Sequence, residues 1–475
     1  MRRTKIICTL GPASDTDELV RSLIQSGMNC ARLNFSHGMH EEHAERISRV
    51  RRISDETDCN VAVMLDTKGP EIRLGDFKSG SIILEKNKEF ILDDRQDELG
   101  DERRVAISYP ELLSQLEEGT SVLIDDGKVA LKVKSINPYG DSVTCTVINA
   151  GKISNRKGIN VPNFSVDIPF ISEYDRNDIL FGIEHNVDYI AASFVRSADD
   201  VRELREFLDK NGGESIRIIS KIENRQGVDN IDNILKVTDG IMVARGDLGV
   251  EIPFMKIPTI QKNIISKCNS IGKIVVTATQ MLESMTQNPR PTRAEVSDVA
   301  NAVFDGTDAI MLSGETAAGA YPVKAVQTMA EIAEASEKSV GSNKNFVRES
   351  LKLNRNIRNA VCASAYSAAE FLHAGAIVVL TRGGRTAKHI SDFRPGCPIV
   401  AIVMDEKARR QLSLEWGVYP MAGEYKSTAH ELFKYAQEKA LESGIVKSGD
   451  TIVVITSSDT QMAYGNDIIR IAELK

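Results

Sequence analysis

The sequence lacks the features that mark membrane, secreted and nucleic-acid-binding proteins. Its longest purely aliphatic runs, such as residues 376–380, fall far short of the roughly 18 apolar residues that a membrane span needs. The basic start at residues 1–5 is followed by an apolar stretch, residues 6–10, that is too short for the core of about 7–15 residues in a signal peptide. Lysine and arginine number 59 against 67 aspartates and glutamates, so the net charge of −8 gives no basic field for nucleic acid. We therefore expect no membrane partner and no nucleic-acid partner.

Cysteine is sparse, and the common nucleotide-binding loops are missing. The seven cysteines are odd in number and contain no Cys-x-x-Cys pair: Cys8, Cys30, Cys59, Cys145, Cys268, Cys362 and Cys397. Such a set indicates the reduced, mostly buried thiols of a cytoplasmic protein. The sequence has no zinc-type cluster, no Walker loop, no kinase glycine-rich loop and no Gly-x-Gly-x-x-Gly, so nucleotide binding of those kinds is unsupported.

What the sequence does contain is a strand–helix pattern that recurs along much of its length. Hydrophobic residues make up 42% and charged residues 27%, as in an ordinary globular protein, and 475 residues suggest about three domains. Short apolar runs, each followed by a polar cluster and a helix-period stretch, are near-continuous, as in parallel strands buried on both faces. The runs are residues 5–9, 29–33, 61–65, 188–192, 216–220, 240–244, 273–277 and 309–312. This series predicts a (β/α)8 TIM barrel rather than an open doubly wound sheet.

Helix signals agree with the barrel. Thr292 with Glu295 forms a capping box, and Ser172 with Asp175 forms another, each opening a helix-period stretch. A further apolar face predicts a helix over residues 255–270 that Gly272 ends.

The gap between the third and fourth runs is too long for a crossover helix. Within it, residues 122–124, 129–133 and 143–147 alternate apolar with polar side chains, and Asp126-Gly127 is a hairpin signal. We predict a small β-barrel domain at residues 70–171, inserted as a lid over the face where barrel enzymes do chemistry.

A third domain is predicted after the barrel. Apolar runs at residues 376–380, 398–403 and 451–456 alternate with helix-period stretches, which indicates an α/β domain at residues 345–475. The predicted fold class is therefore α/β, with the catalytic barrel at residues 1–69 and 172–344.

Polar clusters follow six of the predicted barrel strands. Each cluster alone is explained by a surface turn or a solvated pair, but six at equivalent places predict one composite site. The clusters are residues 32–37, 66–73, 221–223, 245–247, 277–280 and 313–316.

The residue types in these clusters indicate the chemistry. Glu223 and Asp247 end neighbouring strands and predict a site for one hard divalent cation, Mg²⁺ or Mn²⁺. Cationic side chains around them predict a ligand with phosphate and carboxylate groups: Arg32, Arg73, Arg245 and Lys221. Four further residues offer too little negative charge for a second divalent ion and fit either a monovalent cation or ordinary turn capping: Asn34, Ser36, Asp66 and Thr67.

A softer signal lies in the predicted C-terminal domain. A polar loop follows a buried strand and leads toward a helix, which fits either a phosphate-binding nest or a plain turn. The loop is Thr381, Arg382, Gly383, Gly384, Arg385 and Thr386.

Seven segments, in order along the whole chain, resemble the pyruvate kinase family. They are residues 5–14, 31–38, 65–73, 221–224, 242–253, 277–285 and 311–317. The resemblance implies transfer of the phosphoryl group of phosphoenolpyruvate to ADP, giving pyruvate and ATP, with a divalent metal and potassium. It further implies a homotetramer and a phosphorylated effector at the 381–386 loop. An acid at Asp459, where relatives often carry a Gly/Thr-rich loop, puts a bisphosphate activator in doubt.

Residue roles also follow from the resemblance. Glu223 and Asp247 would bind Mg²⁺ or Mn²⁺, and Lys221 and Arg73 would hold the transferring phosphoryl group. The substrate would also contact Arg32, Gly246, Asp247 and Thr279, the last lying near the path of the proton. The nucleotide would contact Asn34, His37, Arg73 and Lys157, and potassium would bind Asn34, Ser36, Asp66 and Thr67. A glutamate at the position of Glu71 goes with potassium dependence in this family.

Two other functions stay open at this point. One is a metal-dependent aldolase or lyase acting on pyruvate-like acids, which leaves the β insertion and Lys157 unexplained. The other is a non-enzymatic binding protein that kept the fold, although nothing in the sequence suggests loss of the site.

Overall fold

The computed structural model describes residues 1–125, 127–162, 168–340, 356–457 and 466–475. Its first part forms three parallel strands that are buried along nearly all their length, as their apolar sequences require. They are β1 (Lys5–Thr9), β2 (Cys30–Asn34) and β3 (Ala62–Asp66). The helices Asp17–Gln25 and His40–Glu56 connect them.

The chain then leaves the barrel and forms a mainly antiparallel sheet. The strands are β4 (Ile72–Arg73), β5 (Ser81–Leu84), β6 (Glu89–Asp93), β7 (Arg104–Ala106), β8 (Ser121–Ile124), β9 (Val129–Ile136), β10 (Ser142–Val147), β11 (Gly151–Ser154) and β12 (Gly158–Asn160). Seven of them pair in the order β4-β12-β8-β9-β10-β6-β7, and β11 pairs with β5. An isolated bridge between Leu74 and Ile107 joins the two edges, so the sheet curls around its own core. The predicted hairpin exists as β8 and β9, although Asp126 lies outside the described residues.

Five more parallel strands complete the barrel. They are β13 (Tyr189–Ala192), β14 (Arg217–Ile222), β15 (Gly240–Ala244), β16 (Ile274–Ala278) and β17 (Ala309–Leu312). The helices are Glu173–Glu184, Ala198–Lys210, Arg225–Asp229, Ile231–Ile234, Arg245–Glu251, Ile257–Ser270, Arg293–Asp305, Gly314–Ala317 and Pro322–Val340. Because β17 pairs in parallel with β1, the eight strands close in the order β1-β17-β16-β15-β14-β13-β3-β2. The predicted TIM barrel and both capping boxes are confirmed.

The last part of the chain is an α/β domain, as predicted. Its strands are β18 (Ala376–Thr381), β19 (Ile399–Val403), β20 (Val418–Ala422), β21 (Thr451–Ser457) and β22 (Asn466–Glu473), in the sheet order β20-β19-β18-β21-β22. Its helices are Ile357–Leu372, Arg385–Asp392, Glu406–Gln411 and Ala429–Glu442, with a 3-10 turn at Leu412–Leu414. None of the helices in the described ranges has the length and apolar character needed to cross a membrane.

The α/β domain closes the N-terminal end of the barrel. Leu414 is fully buried and belongs to the same core cluster as Met64 and Met242 inside the barrel. The Lys5 ammonium on β1 donates to the Val418 carbonyl at 2.5 Å, and Arg410 Nε donates to Asp188 Oδ1 at 2.9 Å. The carboxyl ends of the strands, at the other end of the barrel, are left for the polar clusters.

Candidate active site

The carboxyl ends of β3, β13 and β14 bring one buried, charged cluster together. The Lys221 ammonium lies 2.9 Å from Asp66 Oδ1 and 3.0 Å from Glu223 Oε1. It also donates to Ser193 Oγ at 2.7 Å. Asp66 is fully buried and Glu223 is nearly so, because Asp66 ends β3 and Glu223 directly follows β14 at the barrel mouth.

Arg32 joins this cluster from β2. Its Nε donates to Asp66 Oδ2 at 2.6 Å, and its Nη1 donates to Thr9 Oγ1 at 2.9 Å. Asp66 therefore accepts from two cations, one on each carboxylate oxygen, which satisfies a charge that would otherwise be costly to bury.

The charges of the four side chains in the cluster shift the pKa values of Asp66 and Lys221. Burial alone would raise the pKa of Asp66, but Arg32 and Lys221 outweigh it and hold that pKa below its usual value. Burial alone would lower the pKa of Lys221, but the carboxylates of Asp66 and Glu223 raise it overall, so the ammonium stays charged at neutral pH.

Glu223 titrates differently. Burial, together with the negative charges of Asp247 and Asp66, raises its pKa to about 7, although Lys221 acts in the opposite direction. The N–H of Phe194 donates to Glu223 Oε2 at 2.6 Å and fixes the carboxylate. A cation beside Glu223 and Asp247 would relieve the repulsion between them.

The residues available for a metal fit a lightly ligated ion. No group of three or more His, Cys, Asp or Glu side chains arranged to hold a metal occurs in the part of the chain that the structure describes. Glu223 and the half-buried Asp247, on the helix that directly follows β15, supply two carboxylates. Mg²⁺ is commonly held by one or two carboxylates, with waters and substrate oxygens completing its shell, so this donor set suits Mg²⁺ or Mn²⁺.

Gly246 and Thr279 meet at the ends of β15 and β16. The Gly246 N–H donates to Thr279 Oγ1 at 2.8 Å, and Thr279 Oγ1 donates to the Ala278 carbonyl at 2.7 Å. Thr279 has φ 67°, a left-handed backbone conformation that is uncommon for a threonine. Arg245 holds this turn: its Nη2 donates to the Thr279 carbonyl at 2.7 Å and its Nη1 pairs with Asp298 at 2.7 Å. Arg245 thus stabilises the turn at Thr279 in this structure, whereas the sequence predicted it among the cations that bind an anionic ligand.

The four residues expected around a monovalent cation lie on adjacent strand ends. Asn34 pairs in register with Asp66. Asn34 Oδ1 accepts from the Ser36 N–H at 3.2 Å, and Thr67 Oγ1 accepts from the Ser193 N–H at 3.1 Å. These bonds are also what turn capping predicts, so the arrangement fits both alternatives left by the sequence. His37 lies exposed on the same loop as Asn34 and Ser36.

Arg73 and Lys157 lie on the inserted domain and pair within it. Arg73 Nη2 contacts Glu71 Oε2 at 2.6 Å, and Lys157 Nζ contacts Asp125 Oδ1 at 2.8 Å. The structure therefore does not join these two cations to the Lys221 cluster. A cavity of about 430 Å³ separates the inserted domain from the barrel, lined by residues such as Glu71 on one side and Phe194 and Asn224 on the other.

The 381–386 loop in the α/β domain has the form of a strand-to-helix turn. The Gly384 N–H donates to Thr381 Oγ1 at 3.2 Å, and Gly384 has φ 80°, which favours glycine. A Cβ at Gly384 would lie 2.9 Å from Leu412 Cδ1. Arg382 and Arg385 are exposed beside this turn. Asp459, which the sequence placed near a second phosphate, lies outside the described residues.

Sequence reasoning missed Ser193 and Phe194. They directly follow β13, as Thr67 follows β3. Their position after a barrel strand is the one feature of the sequence that could have indicated a role in the site. Neither is a charged residue, and a serine after a strand is typical of any turn.

Comparisons with known proteins agree with this architecture. The family model described as pyruvate kinase, barrel domain, matches residues 1–326, and the model described as pyruvate kinase, alpha/beta domain, matches residues 359–472. A pyruvate kinase of Clostridium perfringens is 47% identical over 477 residues, covering 100% of both chains. One of Bacillus licheniformis is 50% identical over 454 residues, which cover 96% of this chain and 77% of that protein.

A solved structure extends the likeness to the fold. The crystal structure of a pyruvate kinase from Cryptosporidium parvum superimposes with a TM-score of 0.93 at 39% sequence identity, covering 100% of this chain and 96% of the other. Neither the aldolase or lyase nor the non-enzymatic binding protein gains support from these likenesses. The chain belongs to the pyruvate kinase family, whose members transfer the phosphoryl group of phosphoenolpyruvate to ADP and so form pyruvate and ATP.

Proposed function

We propose that the buried cluster of Asp66, Lys221 and Glu223 is the centre at which this chain transfers the phosphoryl group. The observation that supports it is an ammonium group held charged between two buried carboxylates at the carboxyl end of the barrel. Phosphoryl transfer depends on positioning and charge neutralisation more than on covalent chemistry. Lys221 stabilises the negative charge on the phosphoryl oxygens and on the enol oxygen as the bond from phosphorus to the enol oxygen breaks and a bond from phosphorus to a terminal phosphate oxygen of ADP forms.

The neighbouring strand ends orient the substrate. The Gly246 N–H, which donates to Thr279 Oγ1 in the free chain, is available to the carboxylate of phosphoenolpyruvate once the threonine hydroxyl turns away. Thr279 then lies beside the enol carbon that receives the proton. Arg32 stays bonded to Asp66 and adds positive charge at the phosphate.

Pyruvate kinases need a divalent metal and potassium. In this chain Glu223 and Asp247 would hold Mg²⁺ or Mn²⁺, as their proximity and the raised pKa of Glu223 support. When bound, the divalent ion neutralises charge on the phosphate and carboxylate of the substrate. The residues themselves keep the ion at the barrel mouth, because the Phe194 N–H fixes Glu223.

Potassium would bind Asn34, Ser36, Asp66 and Thr67. Replacing Glu71 by lysine tests this site, because a side-chain cation introduced there would take over part of the ion's charge. Glu71→Lys is expected to retain turnover without potassium and to show weaker activation when potassium is added. Since Glu71 also pairs with Arg73, Glu71→Gln is the matched control, as it breaks that pair without adding a cation. Equal potassium activation in wild type and Glu71→Lys would contradict the assignment.

The inserted domain would close over the nucleotide. Lys157 and Arg73 carry positive charge on its side of the cleft, while Asn34 and His37 lie on the barrel side. The phosphates of ADP would therefore contact both the inserted domain and the barrel. Closure would exclude water, which otherwise competes for the phosphoryl group.

We assign residues 1–69 and 172–344 to the catalytic barrel, 70–171 to the lid and 345–475 to a regulatory domain.

The regulatory domain would bind a phosphorylated effector at the 381–386 loop. The exposed Arg382 and Arg385 beside the Gly384 turn support this. A panel of sugar monophosphates, sugar bisphosphates and nucleoside monophosphates is titrated into a steady-state assay of wild type, Arg382→Ala and Lys434→Ala. Lys434 is an exposed cation on the helix Ala429–Glu442 of the same domain and serves as the control. We expect at least one compound to lower the KM for phosphoenolpyruvate, and Arg382→Ala alone to weaken its effect. Identical responses of both variants would remove the effector from this loop.

The chain would form a homotetramer and would be located in the cytoplasm. Large apolar side chains such as Phe254 and Phe371 are 78% and 85% exposed, which supports burial in a homotetramer. Sedimentation of the purified protein tests the subunit count. The free cysteines, buried except for Cys59, support a reducing, cytoplasmic location.

A further inference from the structure

Ser193 connects two parts of the proposed site that come from different strands. Its side chain is nearly fully buried, and its hydroxyl donates to the Thr67 carbonyl at 2.6 Å while accepting from Lys221 Nζ at 2.7 Å. Its N–H donates to Thr67 Oγ1 at 3.1 Å. Ser193 thus donates two hydrogen bonds to Thr67, one from its hydroxyl and one from its backbone, and accepts one from Lys221.

The Lys221 ammonium has three close polar neighbours. It donates to Asp66 Oδ1 and to Ser193 Oγ, and it forms an ion pair with Glu223 Oε1 at 3.0 Å. Two of the partners are carboxylates that set its charge, whereas Ser193 is neutral. The hydroxyl therefore fixes where the ammonium lies more than it changes the protonation of Lys221.

The backbone of the same turn is also constrained. Phe194 has φ 55°, which is rare for an aromatic residue, and its N–H donates to Glu223 Oε2. The bonds of Ser193 to Thr67 anchor this turn to the end of β3, so one short segment faces both Lys221 and Glu223.

We propose that Ser193 is a positioning residue for phosphoryl transfer, holding Lys221 in place and connecting it to the peptide of Thr67 in the monovalent-cation site. This inference rests on the roles proposed above for Lys221 and Thr67. A side chain as long as lysine has several rotamers within its reach, and a displacement of 1 Å at a reacting centre can cost about 100-fold in rate.

The test compares Ser193→Ala with Ser220→Ala. Ser220 is a fully buried serine directly before Lys221 whose hydroxyl donates to Thr238 Oγ1 at 2.9 Å, so it matches the burial and the lost hydrogen bond. We expect Ser193→Ala to lower kcat by about 10- to 100-fold with little change in the KM for phosphoenolpyruvate. We also expect a higher potassium concentration at half-maximal activation, while Ser220→Ala matches wild type in both measurements.

Electron paramagnetic resonance measures the binding of Mn²⁺ to the protein without substrate. This measurement distinguishes a displaced Lys221 side chain from a general disruption of the site. Ser193→Ala is expected to bind Mn²⁺ as wild type does, because Glu223 and Asp247 are unchanged. Equal kcat in Ser193→Ala and Ser220→Ala, or loss of Mn²⁺ binding in Ser193→Ala, overturns the inference. Lys221→Met is measured alongside: normal turnover in that variant defeats the proposed role of Lys221 itself, whereas an inactive Lys221→Met beside a fully active Ser193→Ala defeats only the inference.

Discussion

Lys221→Met is expected to lower kcat by at least about 100- to 1,000-fold, the size of loss seen when one transition-state donor is removed. Methionine keeps much of the length of the side chain but has neither charge nor donors. Asp66 still pairs with Arg32 in this variant, so its buried carboxylate is not left without a cation. Binding of metal and of phosphoenolpyruvate should persist, because neither relies on Lys221 alone. The loss should therefore appear in kcat and only weakly in KM.

The control for this variant is Lys5→Met. Lys5 is also a buried barrel lysine, but its ammonium donates to the Val418 carbonyl at the opposite end of the barrel. Assays belong at pH 8, above the pKa of about 7 for Glu223, because the variant removes a cation that favours the charged form of that carboxylate. A kcat for Lys221→Met close to that of Lys5→Met would show that the ammonium at Lys221 does not stabilise the transferring group.

The barrel strands were predictable because burial on both faces leaves a continuous apolar signature. Residues 5–9, 240–244 and 309–312 were predicted with the bounds that the structure gives. Strands β2 and β3 run one residue further, to Asn34 and Asp66, because these polar residues still pair in register at the barrel mouth. An apolar run ends before such a polar residue, so it cannot show that the strand continues into the site.

Contacts between distant elements were not predictable. Nothing in the pattern around Leu414 indicates that it packs inside the barrel, because an apolar residue after a helix fits the core of its own domain equally well. The pairing of Arg73 with Glu71 was missed for a different reason: the two residues are only two positions apart, and grouping Arg73 with the strand-end cations overlooked this local partner. Ser193 carries no charge and became visible only through its distances to Lys221 and Thr67.

Glu223→Gln is expected to weaken the binding of Mn²⁺ by at least about 100-fold, because even outer-shell partners of a bound metal cost 10–100-fold when they are lost. Glutamine has nearly the same shape, and its carbonyl oxygen can still accept from the Phe194 N–H, so the turn after β13 stays in place. Lys221 keeps Asp66 and Ser193 as partners. The change therefore removes one negative charge from a site that has only two carboxylates. Turnover at a fixed, low Mg²⁺ concentration should fall in parallel and recover in part as Mg²⁺ is raised.

Glu415→Gln provides the matched control. Glu415 is a buried glutamate of the α/β domain that pairs at 3.0 Å with Nη1 of Arg217, at the start of β14 and away from the barrel mouth. Mn²⁺ titrations of both variants by electron paramagnetic resonance measure the metal directly, without relying on activity. If Glu223→Gln bound Mn²⁺ as tightly as Glu415→Gln, the Glu223 carboxylate would not be a ligand of the ion. A selective loss would instead mean that this buried carboxylate, which lies near the negative charge of Asp247, holds the ion.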